Sequence, residues 1–350
     1  MLETYLLSLN ESGEDLILRK ECLMYPLELI QSIRLITDVC LNVTLGENVL
    51  CIADREENME ILTLIAAECE AKGAEVAVVL IGPRKHHHHE PPRSVAKAMQ
   101  EADIVIAMTF GSLVHTQARK EATSIGAKFA LMGEVTKDYL MNFNLTREDL
   151  LKVRTQTEEI ARRLTLASSA HLTTETGTEL FMSLEGRKGV ALVPFASKGS
   201  FFGIPGYAEA ACPPIEDSVN GTAVVDGTML GATDFEELVE EPFEIQFEKG
   251  RIVRISGGKS ANRLKSVLQS LGKEAQTFGE LGVNSNYMAS KKLRGSRLDM
   301  AVGGHVHLGL GRNDHIGGDS RGEAHLDVLV TWPRLSLDGN IILEDGTLKI

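Results

Sequence analysis

His325 and Asp327 stand two residues apart in AHLDVLV, a run that reads as a strand. Side chains two apart on a strand share a face, so an imidazole and a carboxylate point the same way. Three other segments offer groups of the same kind: Glu209 in GIPGYAEAACPP, Glu280 in TFGELGVNS and His307 in HVHLGLG. Each lies beside glycine or at the end of a strand-like run, where a side chain can face a cleft with the backbone close behind it. Two imidazoles and three carboxylates make a hard-to-borderline donor set. It suits one or two ions of Zn, Co, Mn or Fe(II) rather than a thiolate-bound structural zinc. His305, His307, His315 and His325 fall within 21 positions of a chain that has ten histidines, and that clustering favours ligation over isolated structural histidines. The stretch GGHVHLGLGRNDHIGG, residues 303–318, also invites a phosphate-loop reading. That reading is the weaker one, because the stretch lacks the GxxxxGK pattern and no helix follows it.

These groups need a scaffold, and its grammar changes along the chain. From about 28 to 145, apolar strand-like runs (NVLCIAD, EVAVVLIG, DIVIAMT, KFALMG) alternate with helix-like runs that end near glycine. Such alternation predicts a parallel sheet covered on both faces, with EVAVVLIG as a buried strand. TREDLLKVRTQTEEIARRLTLAS reads as one long helix. Beyond it, period-two runs surround the turn pairs Lys249-Gly250, Asp338-Gly339 and Asp345-Gly346, as hairpins do. A helix is expected near 258–272. The fold class is α/β: an N-terminal parallel-sheet α/β domain over 1–168, then a β-rich α+β metal-binding domain over 169–350.

Composition bounds the partners. The net charge of −13 argues against nucleic acid. No run reaches the roughly 18 apolar residues of a membrane span, and the N-terminus has no basic segment of a signal peptide. Five scattered cysteines without a CxxC fit a reducing, cytoplasmic compartment and act as core filler.

The ordered motifs EPP at 90–92, SLVHTQARKEATSIGAKFALM, GTELFMSLEGR, PPIEDSVNGTAVVDG, GELGV, VHLGLG and HLDV resemble the metallo-aminopeptidases of the aminopeptidase T type. The chain also resembles the related 2,5-dihydroxypyridine dioxygenases, which share the last H-x-D. The peptidase resemblance implies two divalent ions held by Glu209, Glu280, His307, His325 and Asp327, and a homodimer. Those peptidases carry a tyrosine seven residues after the histidine matched by His307; here Asp314 stands there, followed by His315. The dioxygenases carry histidine where this chain has Glu280.

The expected activity is hydrolysis of an N-terminal peptide or small amide bond by metal-activated water, with Glu280 in the catalytic set and Asp314 or His315 as proton shuttle. One alternative is a mononuclear Fe(II) ring-cleaving dioxygenase using His307, His325 and Asp327. Another is a metal-binding protein without turnover. The run His86–His89 reads as a loop, solvated or reaching over the site. His115 reads as structural, Arg119 as a salt-bridge or substrate-carboxylate group, and Trp332 as packing beneath the H-x-D strand.

Overall fold

The computed structural model describes residues 4–6, 19–21, 26–54, 59–84, 89–114, 116–133, 135–203, 206–231, 237–289, 291–322 and 324–350. It is a mixed α/β structure with one parallel sheet and two large antiparallel sheets. The first sheet has five parallel strands in the order Phe201–Gly203, Lys128–Leu131, Ile104–Met108, Asn48–Ala53, Glu75–Leu80. Helices Leu27–Leu35 and Met59–Ala71 pack one apolar cluster on it, and Arg93–Glu101 and Gln117–Ser124 pack another. The EPP motif has a structural job here. The Glu90 carboxylate accepts from Ala118 N at 3.1 Å, capping the helix Gln117–Ser124.

Two expectations are corrected in this sheet. Four strands were expected from its continuous stretch, and the fifth arrives from residues 201–203, far along the chain. The EVAVVLIG strand is not buried. Glu75–Leu80 is an edge strand, with Val78 and Leu80 41% and 52% exposed. Its apolar run matches the pattern of a central parallel strand, but position in the sheet, which local pattern does not encode, decides burial.

Helix Arg147–Leu166 opens with a capping box from Thr146 and Asp149 and leads into the antiparallel part. An eight-stranded and a seven-stranded antiparallel sheet share one apolar core, to which Leu172, Phe247, Leu308 and Val328 all contribute. The turn pairs behave as read. Lys249-Gly250, Asp338-Gly339 and Asp345-Gly346 all have positive φ at both positions, as tight two-residue hairpins require. Helix Lys259–Leu271 closes the core. Trp332 does not pack beneath the His325 strand. It is 47% exposed, edge-on to His305 with Lys291 over its ring, because the strand ends at Val330 and the chain turns outward with φ 48° at Trp332.

Among the described residues no helix is long and apolar enough to cross a membrane. Cys40, Cys51, Cys69 and Cys212 are buried and free, and burial pushes each thiol up to about 12.

Candidate metal centre

The seven-stranded sheet carries the candidate site on one face and the core on the other. Its central strands are Glu209–Cys212, Phe278–Asn284, Val306–Gly311 and His325–Val330. Strand periodicity sorts their residues. Leu281, Val283, Val306, Leu308, Leu310, Leu326 and Val328 join the core. Glu280, His307, His325 and Asp327 alternate with them and therefore face the other way.

Register supplies the space. Glu280 and Asp327 both pair with Gly309, His307 pairs with Gly282, and His325 pairs with Gly311. A Cβ at Gly282 would lie 2.0 Å from His307 Nε2, and one at Gly309 would lie 2.6 Å from Glu280 Cβ and 2.7 Å from His325 Cε1. The glycines so frequent among these histidines are the room in which the donors lie over the sheet.

The donors converge. His307 Nε2 lies 3.3 Å from Glu280 Oε1 and 3.5 Å from Glu209 Oε2. His325 Nε2 lies 3.3 Å from Glu280 Oε2 and 3.0 Å from Asp327 Oδ1. His315 Nε2 lies 3.9 Å from Glu280 Oε2. Among the described residues, two sets each bring one donor atom per residue within 4.8 Å of one another: Glu209, Glu280 and His307, and Glu280, His315 and His325. Neither is the triad of His307, His325 and Asp327.

Both sheet imidazoles are oriented from behind. Asn284 Nδ2 donates to the Asp299 carbonyl at 3.1 Å, which leaves Asn284 Oδ1 to accept from His307 Nδ1 at 2.7 Å. His325 Nδ1 donates to the Arg312 carbonyl at 2.6 Å. The neutral form of each ring therefore has its proton on Nδ1 and aims the Nε2 lone pair at carboxylate oxygens. Lone pairs facing lone pairs need a proton or a cation between them, and outer acceptors on Nδ1 are the usual support of metal-bound histidine. This donor set fits a divalent cation.

Without a cation the cluster holds protons instead. Burial lowers the His325 pKa, but Asp327 and Glu280 outweigh it and hold it at about 10. Burial lowers that of His307 too, and Glu209 with Glu280 and Asp327 brings it to about 9. Burial, then the Glu280 and Asp327 charges, push Glu209 up to about 7 against the pull of His307. Burial opposes ionisation of Asp327, yet His325 holds it at about 2. Burial and the His325 charge lower His315 to about 4.

Glu209, Glu280, His307, His315, His325 and Asp327 line one cavity. Asp314 does not. Its carboxylate is engaged by Arg312, at 2.9 Å for Nη2 to Oδ2, and that pairing holds its pKa below the ordinary value. Arg119 is buried, donates to the Val114 carbonyl and stays clear of the cavity lining. His89 is exposed and does not line the cavity, whereas His86, His87, His88 and His115 lie outside the described residues.

Sequence reasoning missed several contributors. Tyr207 donates its hydroxyl to Glu209 Oε2 at 2.8 Å. It stands two before Glu209, which was a readable same-side signal. Asn284 stands four after Glu280 on the same strand face, and the same periodicity would have found it. Arg297 and the apolar wall formed by Val114, Leu131 and Val135 line the cavity from distant segments and had no local signal. Leu131 ends a strand of the parallel sheet, the edge where such sheets bind ligands.

The sequence matches the NicX family model, described as 2,5-dihydroxypyridine 5,6-dioxygenase, over residues 28–350. The fold is similar to the structure of 2,5-dihydroxypyridine dioxygenase from Pseudomonas putida KT2440, with TM-score 0.73 and 17% identity, covering 91% of this chain and 96% of that one. It is also similar to wild-type AmpT from Thermus thermophilus, with TM-score 0.68 and 16% identity, covering 92% of this chain and 99% of that one. A search of curated proteins finds no match. At such identities the two structures speak for the fold alone, whereas the family model spans the site strands as well as the parallel sheet. The chain belongs to the NicX family, described as 2,5-dihydroxypyridine 5,6-dioxygenase.

Proposed function

We propose that this chain is a metal-dependent hydrolase that cleaves a small amide or N-terminal peptide bond. Glu280 carries the reading. Its Oε1 belongs with His307 and Glu209, and its Oε2 with His325, so one carboxylate is shared by two donor groups. A shared carboxylate is the mark of a pair of ions, and pairs of ions recur in hydrolases. Glu209, Glu280, His307, His325 and Asp327 would hold Zn, Co or Mn ions. Such ions, when bound, supply an acidified water and Lewis-acid polarisation of a carbonyl.

The side chains have distinct tasks in this scheme. Asn284 and the Arg312 carbonyl hold His307 and His325 with Nε2 forward. Tyr207 donates its hydroxyl to Glu209 Oε2 and fixes that carboxylate in the cavity wall. Val114, Leu131 and Val135 cover the cavity with apolar surface, exclude water and suit a substrate with a small apolar body.

A second reading has its own support in the family match: a mononuclear Fe(II) ring-cleaving dioxygenase. Metal analysis of protein purified anaerobically without chelator separates the two. The hydrolase reading expects two ions per chain and turnover of aminoacyl-nitroanilides or small amides. One iron per chain with oxygen uptake on a dihydroxypyridine would replace it. Tight metal binding with no turnover in either screen would leave a metal-binding protein. A homodimer is part of the proposal, and sedimentation tests it.

A further inference from the structure

We propose that Glu280, His315 and His325 form a cation position of their own, selective for a borderline ion such as Zn²⁺ over a hard ion such as Mg²⁺. This rests on the two-cation reading above and adds to it a ligand that the resemblance does not carry. Two imidazole nitrogens converge on one carboxylate oxygen: His325 Nε2 at 3.3 Å and His315 Nε2 at 3.9 Å from Glu280 Oε2. The rings stand edge-on, with centroids 4.8 Å apart and planes at 87°. The other oxygen of Glu280 faces a single imidazole, His307, with the Glu209 carboxylate beside it. The two positions therefore differ in chemistry. One sets a single imidazole beside Glu280 and Glu209, and the other sets two imidazoles beside Glu280, with Asp327 Oδ1 3.0 Å from His325 Nε2. Imidazole suits Zn, Co and Fe, whereas oxygen-rich sites suit Mg and Mn.

The loop bearing His315 is built to hold it in place. Asn313 is fully buried and donates to the Gly279 carbonyl at 3.1 Å, one residue before Glu280. It also donates to Glu216 Oε1 at 3.2 Å and accepts from Ser320 N at 2.7 Å. Arg187 Nη1 reaches the Gly317 carbonyl at 3.2 Å. The Gly279 bond ties the start of the short turn Asp314–Ile316 to the strand that carries Glu280, and Arg187, Glu216 and Ser320 brace the turn from neighbouring loops. Such fixing is what a ligand position requires.

The test is zinc binding to metal-free full-length protein by equilibrium dialysis and elemental analysis, with and without excess Mg²⁺. Wild type is expected to hold two Zn²⁺. His315→Gln is expected to lose one of them, with affinity down at least about 100-fold, while Glu209→Gln loses the other. Excess Mg²⁺ should displace from wild type only the ion that survives in His315→Gln; equal displacement of both overturns the selectivity. Two tightly held Zn²⁺ in a folded His315→Gln overturn the ligand assignment and leave the two-cation reading standing. A single Zn²⁺ in wild type that His315→Gln loses supports the assignment and overturns the two-cation reading; a single ion that it keeps overturns both. X-ray absorption of zinc-loaded wild type needs no variant. It should count three imidazoles across two ions, and a count of two removes His315.

Discussion

Replacing Gly282 with alanine adds one methyl group at the most crowded point of the site. The new Cβ would lie 2.0 Å from His307 Nε2, 2.1 Å from Cε1 and 2.7 Å from Cδ2. The nearest of these falls about 1.4 Å short of the 3.4 Å at which ordinary contact begins. The collision strikes the edge of the ring that faces Glu280 and Glu209, so the ring tip is what must move. A shift of that size breaks the 2.7 Å bond to Asn284 and carries Nε2 away from the carboxylates. Overpacking of this kind costs about 1–3 kcal/mol, less than the roughly 5–15 kcal/mol by which folded proteins are typically stable. Loss of outer-shell support alone weakens metal binding by about 10–100-fold, and displacement of the donor itself should reach at least the upper figure. Isothermal titration of metal-free Gly282→Ala with Zn²⁺, alongside circular dichroism and melting, reads both effects. A folded variant with wild-type affinity at every equivalent would refute the claim that His307 Nε2 is a ligand.

Asn284→Leu keeps the branched shape but removes the acceptor behind His307. It should weaken one zinc equivalent by about 10–100-fold while the second stays in place, and titration calorimetry showing both unchanged would remove the orienting role. Metal-free protein should lose stability in alkali. His307 and His325 bind protons in the folded state up to about 9 and 10 against 6.5 for free histidine. Their contribution is therefore whole below 6.5 and lost as pH rises through 9 and 10. Zinc must displace those protons, so loading at pH 7.5 should release up to about two protons per chain; a pH-stat that records none contradicts this. Asp314→Asn should leave zinc stoichiometry and turnover per folded molecule at wild-type levels, because Asp314 faces Arg312 rather than the cavity. A rate loss of about 100-fold or more would restore it as a proton shuttle.

The sequence spoke clearly where chemistry and periodicity coincide. His325 and Asp327 share a strand face because the period is two, and the hairpin pairs around Gly250, Gly339 and Gly346 need positive φ at both positions. It spoke poorly about neighbours. Nothing in FFG at 201–203 says that it pairs with Lys128–Leu131 rather than with the sheet next to it in the chain. Nothing in EVAVVLIG separates an edge strand from a central one. Arg297 reaches the site because Asp299 ties its loop down, accepting from Thr228 Oγ1 at 2.6 Å and Gly295 N at 2.7 Å. That buried carboxylate was not singled out by spacing.

The glycines answer to one rule that joins sequence to site. Three neighbouring strands bring facing Cβ atoms to about 4.5–5.5 Å. A face built of long donors at every position would have no volume for them, nor for what they bind. Here Glu280, His307, His325 and Asp327 each have glycine as a register partner. The alternation GELG in one strand and HLGLG in the next is therefore one pattern read on two strands, donor against gap. The backs of the same residues are Leu281, Leu308 and Leu310, fully buried, so the strands cannot slip by one residue without turning carboxylates into the core. Register, burial and donor convergence are thus fixed by the same alternation. A functional site of this kind is anchored by the hydrophobic face behind it, which is why substitutions at the glycines should disturb metal binding before they disturb the fold.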